Sequence, residues 1–284
     1  MLSVFMFFPH VIQASDEELC EEQGSQCVET RQWNFGLSVG LGIRSNPLFE
    51  SSDIPLIILP EFSYYGEQFF IENLDIGYTL FDSANRSFNL IATPSYDRVF
   101  FNRWDPGNLL VDLSSLSSEG QISIDNSITD NSTHIDPNEL SNRDFSYLGG
   151  FEFSQEFEHS QIQLSILQDI TGVHSGKEIR FAYAYSVNHH LKTTLGFTWK
   201  DKNLTDYYYG VDENEIVDDR GVYQADASFN PFVRISFNTQ TDESGNNWRL
   251  SFEYQKLDQQ ISQSPILVDD YVMTFYAGKR FQFK

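Results

Sequence analysis

The sequence predicts an all-β fold, an antiparallel transmembrane β-barrel of about twelve strands, on three observations. Apolar and polar residues alternate with period two along most of the chain after Trp33. The alternating segments run about ten residues or more, the length a tilted strand needs to cross a bilayer. The connections between them are alternately short and long, as they would be on opposite sides of a membrane. Composition narrows the field independently. Aromatic residues make up 15% of the 284, and a disordered chain would be poor in rings. Lys+Arg 18 against Asp+Glu 41 gives a formal net charge of −23, the wrong sign for nucleic acid, whose phosphates are held by Lys and Arg. No run of about 18 uncharged apolar residues exists, which excludes a spanning helix.

From the start of the chain, residues 1–14 (MLSVFMFFPHVIQA) read as the apolar core and small-residue end of a secretory signal, cleaved after Ala14. The other reading is a buried hydrophobic strand, and no Lys or Arg precedes the run as a signal requires. Residues 15–32 follow as a periplasmic N-terminal arm, and residues 33–284 as the barrel. The arm carries both cysteines, Cys20 and Cys27, in CEEQGSQC. In an exported chain they form a disulfide closing a small loop; otherwise they are two free thiols. Without nearby histidines they make a poor zinc site.

Strands are predicted near 33–43, 54–65, 68–72, 74–81, 86–101, 145–158, 160–169, 177–187, 190–200, 229–239, 246–257 and 271–283. In the first, Trp33, Phe35, Leu37, Val39, Leu41 and Ile43 alternate with Asn34, Gly36, Ser38, Gly40 and Gly42. Ile179 to Val187 and Trp248 to Tyr254 repeat the pattern, because successive strand side chains point to opposite faces. Strands of a soluble sandwich usually run about five or six residues, shorter than these. The polar face carries Glu152, Glu156, Arg180, Arg234, Arg249 and Glu253, which suits a hydrated lumen. Aromatics gather towards segment ends, at Trp33, Tyr64, Tyr65, Tyr147, Trp199, Trp248 and Phe283 among others, as interfacial girdles require. With the C-terminus periplasmic, 102–144, 170–176, 201–228 and 259–270 all fall outside, and 82–85, 159, 188–189 and 240–245 all fall inside. Short inner turns and long outer loops are the barrel asymmetry. Because 68–72 is short, ten strands with an external hairpin is the alternative.

Particular stretches resemble the MltA-interacting protein (MipA/OmpV) family. They are WNFGLSVGLG from Trp33 with Ile54-Pro55-Leu56, then Gln68-Phe69-Phe70-Ile71 and Gly77-Tyr78. Further along come Asp169-Ile170-Thr171-Gly172 with His174-Ser175-Gly176, then Asp206-Tyr207-Tyr208-Tyr209-Gly210-Val211, and Ser264-Pro265-Ile266-Leu267-Val268-Asp269. Two features depart from the family's pattern: Lys284 follows the terminal Phe-Gln-Phe, and 105–144 is longer and more acidic. The resemblance implies an outer-membrane barrel of the Gram-negative envelope. It carries over no catalytic residues and no cofactor.

Clusters that carry chemistry elsewhere are weak here. Asp105, Asp112, Glu119, Asp125, Asp130, Asp136, Glu139 and Asp144 could supply oxygens to Ca2+, but lack the glycine and terminal glutamate of a calcium loop. Asp212, Glu213, Glu215, Asp218 and Asp219 read the same way. Glu152 and Glu156 read as lumen residues beside Arg180, Arg234 and Arg249 rather than an acid/base pair. His159, His189 and His190 fall in inner turns, and His174 in a glycine-rich loop. Ser114 to Ser118 shows no nucleophile elbow, and no phosphate or dinucleotide fingerprint occurs. The chain therefore reads as non-enzymatic, with outer-membrane lipid around it. Two functions compete: a scaffold whose periplasmic side contacts a murein transglycosylase or murein synthase, as the resemblance implies, and a small channel. In a channel the acidic excess would favour cations.

Overall fold

The computed structural model describes residues 31–102, 105–110, 134–215 and 221–283. Residues 1–30, with the signal-like segment, most of the arm, Cys20 and Cys27, lie outside the described residues. So do Asp112, Glu119, Asp125, Asp130, Asp218, Asp219 and the Ser114 to Ser118 run.

Twelve strands close into one antiparallel barrel in which each strand pairs with its sequence neighbours and the first closes onto the last. They are β1 (Trp33–Arg44), β2 (Ile54–Tyr65), β3 (Phe69–Glu72), β4 (Asp75–Ser83), β5 (Arg86–Pro94) and β6 (Tyr147–Glu156). The second half comprises β7 (Ser160–Asp169), β8 (Lys177–Ser186), β9 (Leu191–Lys200), β10 (Ser228–Asn238), β11 (Asn247–Lys256) and β12 (Tyr271–Phe283). Closure runs in register from Phe35 opposite Phe283 to Arg44 opposite Thr274. The short segment Phe69–Glu72 is a ladder member between β2 and β4, which excludes the ten-strand alternative.

Burial follows the alternation, with polarity inverted relative to a soluble domain. On β1, Phe35, Val39 and Leu41 are exposed while Ser38 and Arg44 are buried. On β11, Trp248, Leu250 and Phe252 are exposed while Ser251 and Glu253 are buried. Leu41 is 75% exposed, so the apolar face looks outward into hydrocarbon and the polar face inward. Half-exposed Trp33, Trp248 and Phe283 form a girdle at one end.

The connections segregate. The connections that follow β1, β5, β7, β9 and β11 leave the barrel at one end; 66–68, 84–85, 157–159, 187–190 and 239–246 emerge at the other. In an outer-membrane barrel the long loops face outward and the short turns face the periplasm. The long loops carry α1 (Pro106–Leu109), α2 (Lys202–Tyr209) and α3 (Gln259–Ser262). Each helix is N-capped by an aspartate side chain, Asp105, Asp201 and Asp258 respectively. Asp105, predicted as part of a solvated acidic loop, is instead buried and also bonds Arg98 at 3.1 Å.

One predicted strand is too long. Residues 86–101 were expected to be extended throughout, but β5 stops at Pro94 and Tyr96–Phe100 form a 3-10 turn. Asp97 and Val99 are buried there, so the chain leaves the wall and enters the barrel. Apolar spacing in SYDRVFF continues the strand pattern, yet its partners are the cap and the lumen rather than lipid.

The wall has one low place. β2 is 12 residues long and β3 only 4, and the two pair over Ser63 to Tyr65 alone. The Asn73 side chain accepts from Phe62 N–H at 3.0 Å, and Asn73 N–H donates to the Phe62 carbonyl at 2.9 Å. Asn73 takes a positive φ of 50°, which asparagine tolerates better than most residues, and the chain turns back into β4.

Candidate functional site

Two regions concentrate the buried polar chemistry: the lumen, and a cap that the long loops build over its outer mouth. Near the short-turn end of the lumen Glu61 accepts from Arg249 and Arg280, each at 2.7 Å, and from Ser38 Oγ at 2.9 Å. Arg234 pairs with Glu253, with side chains 6% and 2% exposed. Glu152 accepts from Asn89, Gln163 and Ser165. Towards the outer end Arg180 pairs with Glu178 and bonds Thr93 Oγ1 at 3.3 Å and the Pro94 carbonyl at 3.2 Å. Inward Phe232 packs on Ala182 and Ala184 and lies across Gly196.

The 3-10 turn inserts Asp97 above these pairs. Its Oδ1 is bonded by Lys200 and by Tyr209 Oη. Burial, then the Asp97 charge, hold the Tyr209 phenol well above its ordinary pKa, so it stays a neutral donor. Arg44, fully buried, donates to Asn108 Oδ1 of α1 at 3.0 Å. The cavity left between Arg44, Tyr96, Asp97, Glu178, Arg180 and Lys200 measures about 40 Å³, room for about one or two waters. Charge pairs therefore line the middle of the barrel. Glu156 differs: it is exposed and lines an open cavity of about 510 Å³ at the short-turn mouth with Asp82, Asn85, Arg86 and Ser154.

The cap has an apolar core of its own. Leu204, Tyr208 and Tyr209 of α2 meet Leu48, Ile135, Ile261, Ile266 and Leu267 there, and Leu148 and Leu167 carry the cluster into the barrel wall. Backbone bonds stitch the loops, Phe49 N–H to the Ile266 carbonyl at 2.8 Å and Ile135 N–H to the Pro265 carbonyl at 2.9 Å, as does the Ser264 hydroxyl, which donates to the Tyr209 carbonyl at 2.6 Å. Arg143, buried, bonds both Glu215 oxygens, at 2.7 and 3.3 Å. Burial opposes ionisation of Glu215, but Arg143 and the Asp212 and Ser141 amides outweigh it and lower its pKa.

Within the cap Ser146, His174 and Asp169 lie in the order of a hydrolytic triad, with Ser146 Oγ 3.1 Å from His174 Nε2. The hydrogen bonding runs the wrong way for catalysis. His174 Nδ1 accepts from Gly176 N–H at 2.9 Å, so its proton sits on Nε2 and is donated to Ser146, leaving no base for the serine proton. Asp169 is 3.9 Å from Nδ1 and is occupied by the N–H groups of Thr171, Gly172, His174 and Ser175. The arrangement folds the 170–176 loop. Neither Ser146 nor Asp97, Glu61 and Lys200 was singled out from the sequence, since each gains meaning only through partners far along the chain. His159, His189 and His190 lie in the short turns. Among the described residues no group of three or more His, Cys, Asp or Glu side chains could hold a metal ion.

A profile of the family described as MltA-interacting protein MipA matches residues 39–283. The chain belongs to that family. Two MltA-interacting proteins, from Escherichia coli (strain K12) and Shigella flexneri, are each 21% identical over 258 residues, covering 88% of this chain and 90% of theirs. Among solved structures, the outer membrane protein OprD from Pseudomonas aeruginosa aligns with 90% of this chain and 66% of its own, at 8% identity and a TM-score of 0.36. OmpT of Vibrio cholerae aligns with 90% of this chain and 99% of its own, at 9% identity and a TM-score of 0.31. The MipA-family stretches noted in the sequence, Asp169 to Gly176, Asp206 to Val211 and Ser264 to Asp269, come together in the cap, joined by ring contacts of His174 with Tyr207 and Tyr208 and by the Ser264 bond to the Tyr209 carbonyl. The chain is a closed, membrane-spanning, non-enzymatic barrel of the outer membrane.

Breaking one lumen pair strands a buried charge. Glu253→Gln should lower stability by about 3 kcal/mol, whereas Arg234→Met/Glu253→Leu should lie near the parent, because removing both partners leaves no uncompensated charge. Urea unfolding in lipid vesicles reads both. The cap should also respond to acid. Burial lowers the His174 pKa, against the raising effect of Asp169, Asp97, Glu178 and Asp201. With its folded pKa below the unfolded value near 6.5, the stabilisation is complete above that pH and lost as pH falls from there through the lower folded value. Amide exchange across 170–176, corrected for intrinsic rates, should therefore rise between pH 7.5 and 5. His174→Asn, which keeps an acceptor for Gly176, should flatten that response.

Proposed function

We propose that this barrel is a non-conducting interaction protein whose periplasmic side engages murein-processing enzymes, a transglycosylase or a synthase. The observation that carries the reading is the filled lumen. Glu61 with Arg249 and Arg280, Glu253 with Arg234 and Glu178 with Arg180 pair along its inner wall, Arg180 reaches from β8 to Thr93 and Pro94 of β5, and the cap packs over its outer mouth. A channel preferring cations would need an unpaired carboxylate ring, and these carboxylates are matched by arginines. The name of the relatives, MltA-interacting protein, supports a partner of the transglycosylase class.

The contact lies on the short-turn side. Those turns are small, and a specific interface buries roughly 800 Å² per partner, so turns alone offer little. The arm 15–32 adds the missing area. Its described end leaves the barrel beside the β2–β3 turn, where Arg31 N–H bonds the Tyr65 carbonyl at 2.6 Å and the Arg31 side chain pairs with Glu67. The open mouth lined by Asp82, Arg86 and Glu156 adjoins the β4–β5 turn on the same side.

The full barrel, immobilised in detergent, should retain a purified murein transglycosylase, and deletion of residues 16–31 should reduce retention at least tenfold. Equal retention by the deletion variant would remove the arm from the contact. No retention by the intact barrel would contradict the partner class.

A further inference from the structure

Among the described residues, the outer half of β2 has an unpaired edge. Residues 54–61 pair with β1 on one side, while the ladder to β3 begins only at Ser63. Among the described residues no backbone bond beyond the β1 ladder reaches this edge above Phe62. Here the wall is low, because β3 and its turn at Asn73 and Leu74 end well short of the outer end of β2. The Tyr147 hydroxyl pins that turn to β6 by bonding the Leu74 carbonyl at 3.1 Å.

Such an edge cannot simply face hydrocarbon, which offers no hydrogen-bond partner. It is equally unsuited to a further strand. Pro55 and Pro60 lie within it, and proline blunts an edge because it has no N–H for a ladder. The rim is apolar and membrane-facing: Ile57 and Ile58, adjacent in sequence, are both about half exposed, where β1 and β2 slip register between Val39 and Gly42. Behind the edge stands α1, which packs mainly on β2 and the 3-10 turn. Its Gly107 and Asn108 are buried, yet Leu109 is 44% exposed.

We propose that this notch is a lateral binding site for one lipid of the surrounding leaflet. The acyl chain lies along Ile57, Ile58 and Leu109, and the ester and phosphate oxygens accept from N–H groups left free along the edge. A lipid fits where a strand does not, since it brings acceptors without demanding a continuous ladder, and its chain matches the rim. The site belongs to the membrane wall and stands independently of any periplasmic partner.

The test uses the full-length protein in vesicles containing phosphatidylcholine with a diazirine midway along one acyl chain, with adducts mapped by mass spectrometry. Outward-facing Leu195 and Ile235, exposed on the wall, report ordinary contact with lipid. Leu109 belongs to the plug and not to the wall, so adducts there at a yield matching Leu195 and Ile235 are the expected result. Labelled Leu195 and Ile235 with unlabelled Leu109 would overturn the proposal. So would Leu109 adducts that appear only after residues 111–133 are deleted, since the chain itself would then cover the notch. An Ile57→Cys disulfide dimer, in a background lacking Cys20 and Cys27, would assign the edge to a second copy and overturn it as well.

Discussion

Backbone amides surrounded by hydrocarbon can bond only to one another, so the sheet must close on itself, and the β1–β12 ladder is the contact that closes it. From Phe35 opposite Phe283 to Arg44 opposite Thr274 the two ends of the chain are stitched together. Everything else in the molecule answers to that closure. The apolar set of each strand is committed outward, and the polar set, having no bulk water to face, must find partners across a narrow interior. At the low wall by β3 the sheet itself meets the constraint only as far as Phe62, whose N–H bonds the Asn73 side chain in place of a longer β3.

The interior solves its problem with charge. A barrel of twelve strands is narrow enough for side chains to reach across, because width grows with strand number. Arginine suits this role, as its planar fork can satisfy a carboxylate and a further acceptor together. Arg180 does so with Glu178, Thr93 and Pro94. Such pairs specify geometry more than they add stability, because the cost of desolvating both ions offsets much of their attraction. Above them the cap behaves like a small soluble domain with its own apolar centre, bonded to the lumen through Asp97, Lys200 and Tyr209. A barrel built this way suits the proposed role of a platform better than that of a conduit.

Much of the wall was legible in the sequence because period two is a local signal. Trp33 through Ile43 and Trp248 through Tyr254 declare their outward faces residue by residue, and the alternation of long and short loops orders the strands. The cap was not legible. Leu204 and Tyr208 stand one helical turn apart, but α2 spans only 8 residues, too few for a helical period to stand out within a long loop. The bonding of Ser146 to His174 joins residues 28 apart through a tautomer that only the Gly176 bond reveals. Asp97 looked like a strand residue because Tyr96 and Phe100 keep the even positions of Phe88, Leu90 and Ala92, and only its distant partners Lys200 and Tyr209 show that the chain has turned inward. Family resemblance pointed at the right segments without showing that they meet.

The proposal that the lumen is sealed is tested most directly by single-channel recording of the refolded barrel in planar bilayers. With insertion verified by protease protection and by heat-modifiable migration, the account predicts no discrete conductance steps at moderate voltage. Regular steps from the wild-type protein, with a reversal potential favouring cations in a salt gradient, would contradict it, because the pairs around Glu61, Glu178 and Glu253 would then have to stand open in the membrane.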